Sequence, residues 1–206
     1  MATIEGRNQR KHRLYDAAPA AAVTVPAPRA HTETTPAAGT APRTTAGPAR
    51  YAWAAARVAI GWVFLWAFLD KMFGFGFATP AAKAWINGGS PTTGFLKGTA
   101  DNTFGGLFNT LAGQPWVDWL FMTGLAGIGT ALILGIGMRI AATTGTLLLL
   151  LMWAAELPLT TNPFMDEHIV YAIVLIGLAL AGAGTTLGLG RVWAATPLVR
   201  RLPILK

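Results

Sequence analysis

The chain has 206 residues, 53% hydrophobic and only 12% charged, with no cysteine and a formal net charge of +7. Water-soluble domains carry roughly 25% charged residues, so the composition argues for lipid as the solvent, and the missing thiols exclude disulfides, cysteine-ligated clusters and thiolate nucleophiles. The positive charge gathers at the two ends, at Arg7, Arg10, Lys11 and Arg13 and again at Arg191, Arg200, Arg201 and Lys206. Without a recognition motif it reads as a topology signal and not as a nucleic-acid surface.

Residues 1–50 have no helical or strand period and are rich in Ala, Pro and Thr. They bury too little apolar surface to offset their conformational entropy, so a disordered basic tail is expected. A first membrane span is expected from Trp53 to Phe75, its uncharged centre Val58–Leu69 flanked by Arg57 and Lys71, which can reach opposite interfaces. The loop from Gly76 to Pro115 is too long for a bare connector. Its apolar stretches Ala81–Ile86 and Thr103–Phe108 suggest short interfacial or re-entrant helices capping the outer mouth. Further spans follow from Trp116 to Ile136, Ile140 to Ala155 and Ile169 to Gly190, bounded by Trp116, Trp119, Arg139 and Glu156.

Small residues recur four apart at Gly127 and Ala131, Ala141 and Gly145, Gly177 and Ala181, and Gly184 and Gly188, a spacing that lets helix backbones approach in lipid. Short connections between the last three spans make them antiparallel neighbours. The expected fold is therefore an all-α integral membrane protein. A four-helix transmembrane bundle fills residues 51–191, with a tail before it and a basic segment at 192–206. Lys and Arg flank the N-terminal tail, the turn at Arg139 and the C-terminal segment, whereas the connection Leu157–His168 has none. Despite Lys83 and Lys97 in the long loop, the balance puts both termini in the cytoplasm of a multi-pass cell-membrane protein.

Polar groups near membrane depth collect at the outer end. Asp70 and Lys71 close the first span, Glu156 the third, and Asp166, Glu167 and His168 open the fourth. Ionisable groups there are functional candidates, although Asp166 and Glu167 also suit a helix N-terminus. His168 can hydrogen-bond a quinone carbonyl while Glu156 or Glu167 handles protons, and imidazole chemistry near neutral pH serves such coupling. The candidate catalytic residues are thus His168, Glu156 and Glu167, and the candidate cofactor-binding residues Asp70, Lys71 and His168. A lone histidine makes no bis-histidine haem site, and one carboxylate beside it is a thin metal site. Quinone is accordingly the expected cofactor, with no haem, metal or iron–sulfur cluster. Arg57 and Arg139 read as phosphate-level anchors. Gly182-Ala183-Gly184 lies inside an apolar run without a preceding strand and is no dinucleotide motif.

The run Asn162-Pro163-Phe164-Met165-Asp166-Glu167-His168-Ile169-Val170-Tyr171-Ala172, continued by Ala183-Gly184-Thr185-Thr186-Leu187-Gly188-Leu189-Gly190-Arg191, resembles the last-helix signature of the DoxX/DoxD-like membrane proteins. Arg57-Val58-Ala59-Ile60-Gly61 leading to Asp70-Lys71 resembles their first helix. The resemblance covers about Arg57 to Arg191. It implies a four-helix membrane bundle and, through the DoxD branch, the large subunit of a thiosulfate:quinone oxidoreductase, which joins thiosulfate pairs into tetrathionate and passes the electrons to quinone. Other relatives are described as membrane partners of redox or detoxifying enzymes. The alternative expectation is therefore a non-enzymatic scaffold or accessory subunit that recruits a second redox subunit or a soluble redox enzyme, with homo-oligomerisation open. Family membership does not decide activity. Lys71, Lys83 and Lys97 could attract a thiosulfate dianion, while the acids on the same side would repel it unless kept apart.

Overall fold

A computed structural model describes residues 47–205; the expected disordered tail lies almost wholly outside them. The described residues are helical and contain no strand. Three helices are long and apolar enough to cross a membrane: α1 (Ala49–Phe73), α4 (Pro115–Leu134) and α5 (Met138–Glu156). Between α1 and α4, the long loop forms 3-10 turns at Ala81–Lys83 and Trp85–Asn87, then α2 (Thr93–Gly98) and α3 (Gly105–Thr110). After α5 come α6 (Glu167–Leu180), a 3-10 turn at Ala183–Thr185, α7 (Gly190–Ala195), α8 (Pro197–Arg201) and a last 3-10 turn at Pro203–Leu205.

The helices stop where the sequence supplies a left-handed residue. Gly74 ends α1 at φ +70 and Gly135 ends α4 at φ +73, a conformation that costs glycine little. Pro115 opens α4 at the position where a missing N–H is harmless. Asp166 caps α6, its carboxylate accepting from the Ile169 N–H at 3.2 Å.

The helix opened by that cap is shorter than the expected span Ile169–Gly190. It holds 14 residues and ends at Leu180, about 21 Å against a hydrocarbon core of about 30 Å. Gly182 takes φ +63 and turns the chain. Gly184 then lies so close to Gly135 that a Cβ on it would collide with the Gly135 carbonyl. A continued helix would carry residues 182–190 away from that contact.

Packing is uneven around the bundle. α1 lies along α4, and α5 along α6, while α4 and α5 touch over a shorter stretch. In the α1–α4 seam, a Cβ on Gly129 would meet the Leu65 backbone at 2.7 Å, and one on Gly61 the Leu132 side chain at 2.9 Å. Gly145 abuts Leu175 in the α5–α6 seam. Gly127 corrects the expectation drawn from small-residue spacing, because nothing lies within 4 Å of its Cβ position; it faces open space, and Gly129 two residues on is the contact residue. The common core gathers Ile60, Phe64, Met122, Leu132, Leu149, Leu175 and Leu178, whose close van der Waals packing holds the helices together where they meet.

Two buried charges fix the chain at opposite ends. Arg57 has no exposed surface, so it does not snorkel to an interface as expected. Its guanidinium donates to the carbonyls of Leu132, Ile133 (2.8 Å), Thr186 (3.3 Å) and Leu187 (2.8 Å). The Gly135 and Ile136 N–H groups bond to Ala131 O, and the Leu189 N–H to Leu134 O. Every one of the last four carbonyls of α4 thereby has a partner. The two terminal nitrogens of the planar fork meet this geometry, while the buried Nε finds no partner, and the charge suits the negative end of the α4 dipole. At the other end Asp118, in the first turn of α4, accepts from Ser90 Oγ (2.9 Å), Thr92 N–H (3.1 Å) and Thr92 Oγ1 (2.5 Å). Trp85 meets Trp119 edge-on at 4.6 Å. Together these contacts pin the long loop to α4.

Candidate functional site

The expected site residues separate into two places. The first lies between the end of α5 and the start of α6. His168 is 7% exposed, and its Nδ1 is 2.8 Å from Asp166 Oδ2 and 4.0 Å from Glu156 Oε2. The latter separation is too long for a hydrogen bond. Because Asp166 uses Oδ1 to cap α6, its other oxygen is held toward the imidazole. One ligand-capable atom from each of Glu156, Asp166 and His168 falls within 4.8 Å of the others. Glu167 is exposed and is not part of this group. Asp166, which like Glu167 also suits a helix N-terminus, is the acid of the pair that stands beside His168.

The connection carrying these groups is braced on both sides. Trp153 Nε1 donates to Phe164 O at 2.9 Å, and Asn162 Oδ1 accepts from the Phe164 and Met165 N–H groups at 3.2 and 3.0 Å. Asn102 Nδ2 reaches Ala155 O at 2.8 Å, and the Thr103 N–H reaches Leu157 O at 2.8 Å. The long loop therefore grips the chain immediately before and after Glu156.

The second place is a groove of about 1100 Å³ along the seam where α4 and α5 draw apart. Its walls are apolar, with Leu120, Phe121, Leu147 and Leu151 among them, and its floor is lowered by Gly124 and Gly127. Neither glycine position has an atom within 4 Å of a Cβ placed there, so missing side chains create the space. Lys71, Lys83, Ser90 and Thr92 line one end, and Trp193 the other. Lys97 does not line it.

The expected cofactor-binding set therefore splits three ways. Lys71 borders the groove. Its neighbour Asp70 is 2% exposed and accepts from the Phe77 and Ala78 N–H groups at 3.4 and 3.0 Å, holding the turn that follows α1. His168 belongs to the cluster and does not line the groove. Among the described residues Asp70 and Lys71 form no ion pair within 4.0 Å, although they are adjacent in sequence. One carboxylate is thus committed to backbone and one ammonium is left for the groove.

Comparison of the chain with family models, with curated proteins and with solved structures finds no match.

Proposed function

We propose that the chain is a DoxX-like, multi-pass membrane subunit with a quinone-linked redox role. In this reading α1, α4, α5 and α6 form a four-helix bundle, α6 completing the crossing with the turn that follows it, and both termini are cytoplasmic. The groove between α4 and α5 carries the proposal. It is long, apolar and open along the seam, as an isoprenoid tail requires, and one end is lined by an ammonium and hydroxyls. Ligand sites of several hundred Å3 with a few polar groups at one end are the usual form of small-molecule pockets.

A quinone ring at that end would accept a hydrogen bond from Lys71, while the Ser90 and Thr92 hydroxyls, whose protons go to Asp118, make the mouth polar without donating to it. A cation there stabilises the negative charge that grows on the quinone oxygens as electrons arrive. The short loop helices α2 and α3 and the exposed aromatics Phe75, Phe77, Trp116 and Trp119 suit an interfacial cap at headgroup level. Joining two thiosulfates through a new S–S bond releases two electrons, and one quinone takes up those electrons with two protons to become quinol. Lys71 and Lys83 supply the positive charge that a sulfur oxyanion needs. The scaffold alternative rests on the tail, which falls outside the described residues save for its last four.

The test uses the full chain in nanodiscs with a short-chain quinone and thiosulfate, following quinol and tetrathionate together. Leucine at both Gly124 and Gly127 fills the groove from positions with open space, and is expected to abolish quinone binding while the helical signal persists. Lys71→Gln is expected to raise the quinone KM about tenfold, the loss of one hydrogen bond to a charged donor. Quinone binding unchanged by the groove-filling pair would overturn the proposal.

A further inference from the structure

We propose that Glu156, Asp166 and His168 form a binding site for a single divalent transition-metal cation, separate from the groove. The sequence reading expects no metal because it sees one carboxylate beside the histidine. Folding brings two to the same nitrogen, one from the end of α5 and one from the cap of α6.

Four observations carry the inference. The first is the donor set itself, one imidazole nitrogen and two carboxylates. Such ligands suit Mn2+, Fe2+, Co2+ or Zn2+, whereas the absence of sulfur disfavours Cu(I). The second is burial. The side chains of His168 and Asp166 are 9% and 7% exposed, unlike ordinary surface acids, while Glu156 at 38% leaves an opening for water and for entry of the ion.

The third is charge. Among the described residues neither carboxylate pairs with a lysine or arginine, so His168 is their sole basic neighbour. Hydrogen bonding inside the cluster accounts for Asp166 but leaves Glu156 without a partner of its own, its oxygen 4.0 Å from the ring nitrogen. Two carboxylates gathered at one buried nitrogen repel each other unless one of the three groups takes a proton or a cation lies between them. The fourth is distance. Ligand atoms sharing one ion at about 2.1 Å stand roughly 3–4 Å apart. The nitrogen-to-oxygen separations are 2.8 and 4.0 Å and all three ligand atoms fall within 4.8 Å of one another, so the carboxylates need to draw in by up to about 1 Å around an ion. The braced connection from Asn162 to Asp166 holds Asp166 in place at the start of the helix that carries His168, which is the support a metal site needs from its surroundings.

The test strips the full chain in detergent with EDTA and titrates it with Mn2+ alone, reading free ion by electron paramagnetic resonance, and with Co2+ alone, reading visible absorption. One ion per chain is expected. Glu156→Gln and His168→Gln are each expected to weaken binding by at least about tenfold. Asp166→Asn is the sharper variant, because asparagine caps a helix as well as aspartate does yet has no charge to offer an ion; it is expected to keep the fold and lose the metal. The Gly124 and Gly127 groove-filling pair is expected to bind the ion normally, which separates this site from the quinone proposal. Absence of saturable binding at one ion per chain would overturn the inference. So would equal affinity in wild type, Glu156→Gln and Asp166→Asn.

Discussion

The two ends of the bundle use charge in opposite ways. At one end Arg57 is fully buried and its two terminal nitrogens donate to four backbone carbonyls from two distant segments, leaving only Nε without a partner. At the other, His168, Asp166 and Glu156 gather around one another with a single helix cap as their backbone bond. The first arrangement is what a fold needs where chain turns in a low-dielectric medium and carbonyls would otherwise go unpaired. The second leaves titratable groups unspent, which is the usual condition of a site that acts on something else. An ionisable residue in a membrane protein is therefore better classed by what its donors and acceptors touch than by its depth.

Replacing Arg57 with methionine should have the largest effect and would break the comparison if it did not. Buried polar groups left without partners, together with the lost charge at the end of α4, should lower unfolding stability by about 3–5 kcal/mol, read by thermal unfolding in detergent. Lysine should recover only part of this, since a point charge lacks the fork that reaches carbonyls from two segments. Asp118→Ala comes next. It removes the acceptor of three hydrogen bonds, a loss of about 1.5–3 kcal/mol, seen as faster protease cleavage within residues 80–114 while α1, α4 and α5 stay intact. That outcome would sharpen the contrast by showing that the loop end also contains a purely structural carboxylate.

Two glycines in α4 give a smaller and signed pair. Gly129→Ala drives a methyl into the Leu65 backbone and should cost about 1–3 kcal/mol. Gly127→Ala meets nothing and should gain about 0.5–1 kcal/mol from helix propensity. Equal effects would mean that the α4–α5 seam is closed in the membrane. The smallest expected change belongs to the cluster: Asp166→Asn should shift stability by only a few tenths of a kcal/mol, against about 1 kcal/mol for Asp166→Ala.

The sequence made the apolar cores of the three long helices legible, because uncharged runs bounded by Trp, Arg and Glu have few other readings in lipid. It also brought Glu156 and His168 together, since antiparallel threading puts the end of one helix beside the start of the next. Choosing between Asp166 and Glu167 was beyond it. Adjacent acids look alike until the cap geometry turns one inward and the other out. The early end of α6 was hidden for a related reason, because Gly182 and Gly184 serve equally well in a packed helix and in a turn. Arg57 was misread because its partners are backbone carbonyls, which every residue has and no motif records. The groove was invisible because Gly124 and Gly127, which open it, are the same residue as Gly129, which closes a seam.

The reach of Arg57 also constrains how the protein is made. Its carbonyl partners lie 75 and 76 residues downstream at Leu132 and Ile133, and 129 and 130 residues downstream at Thr186 and Leu187. During synthesis α1 leaves the ribosome with a cation about 12 Å along its axis from the first helical residue, and half of that cation's partners are not yet translated when α4 arrives. Arg57 therefore cannot complete its set of carbonyl partners until residue 187 has been added. Truncation before residue 186 should leave half of those bonds unmade and the guanidinium short of partners, read as a loss of thermal stability in detergent.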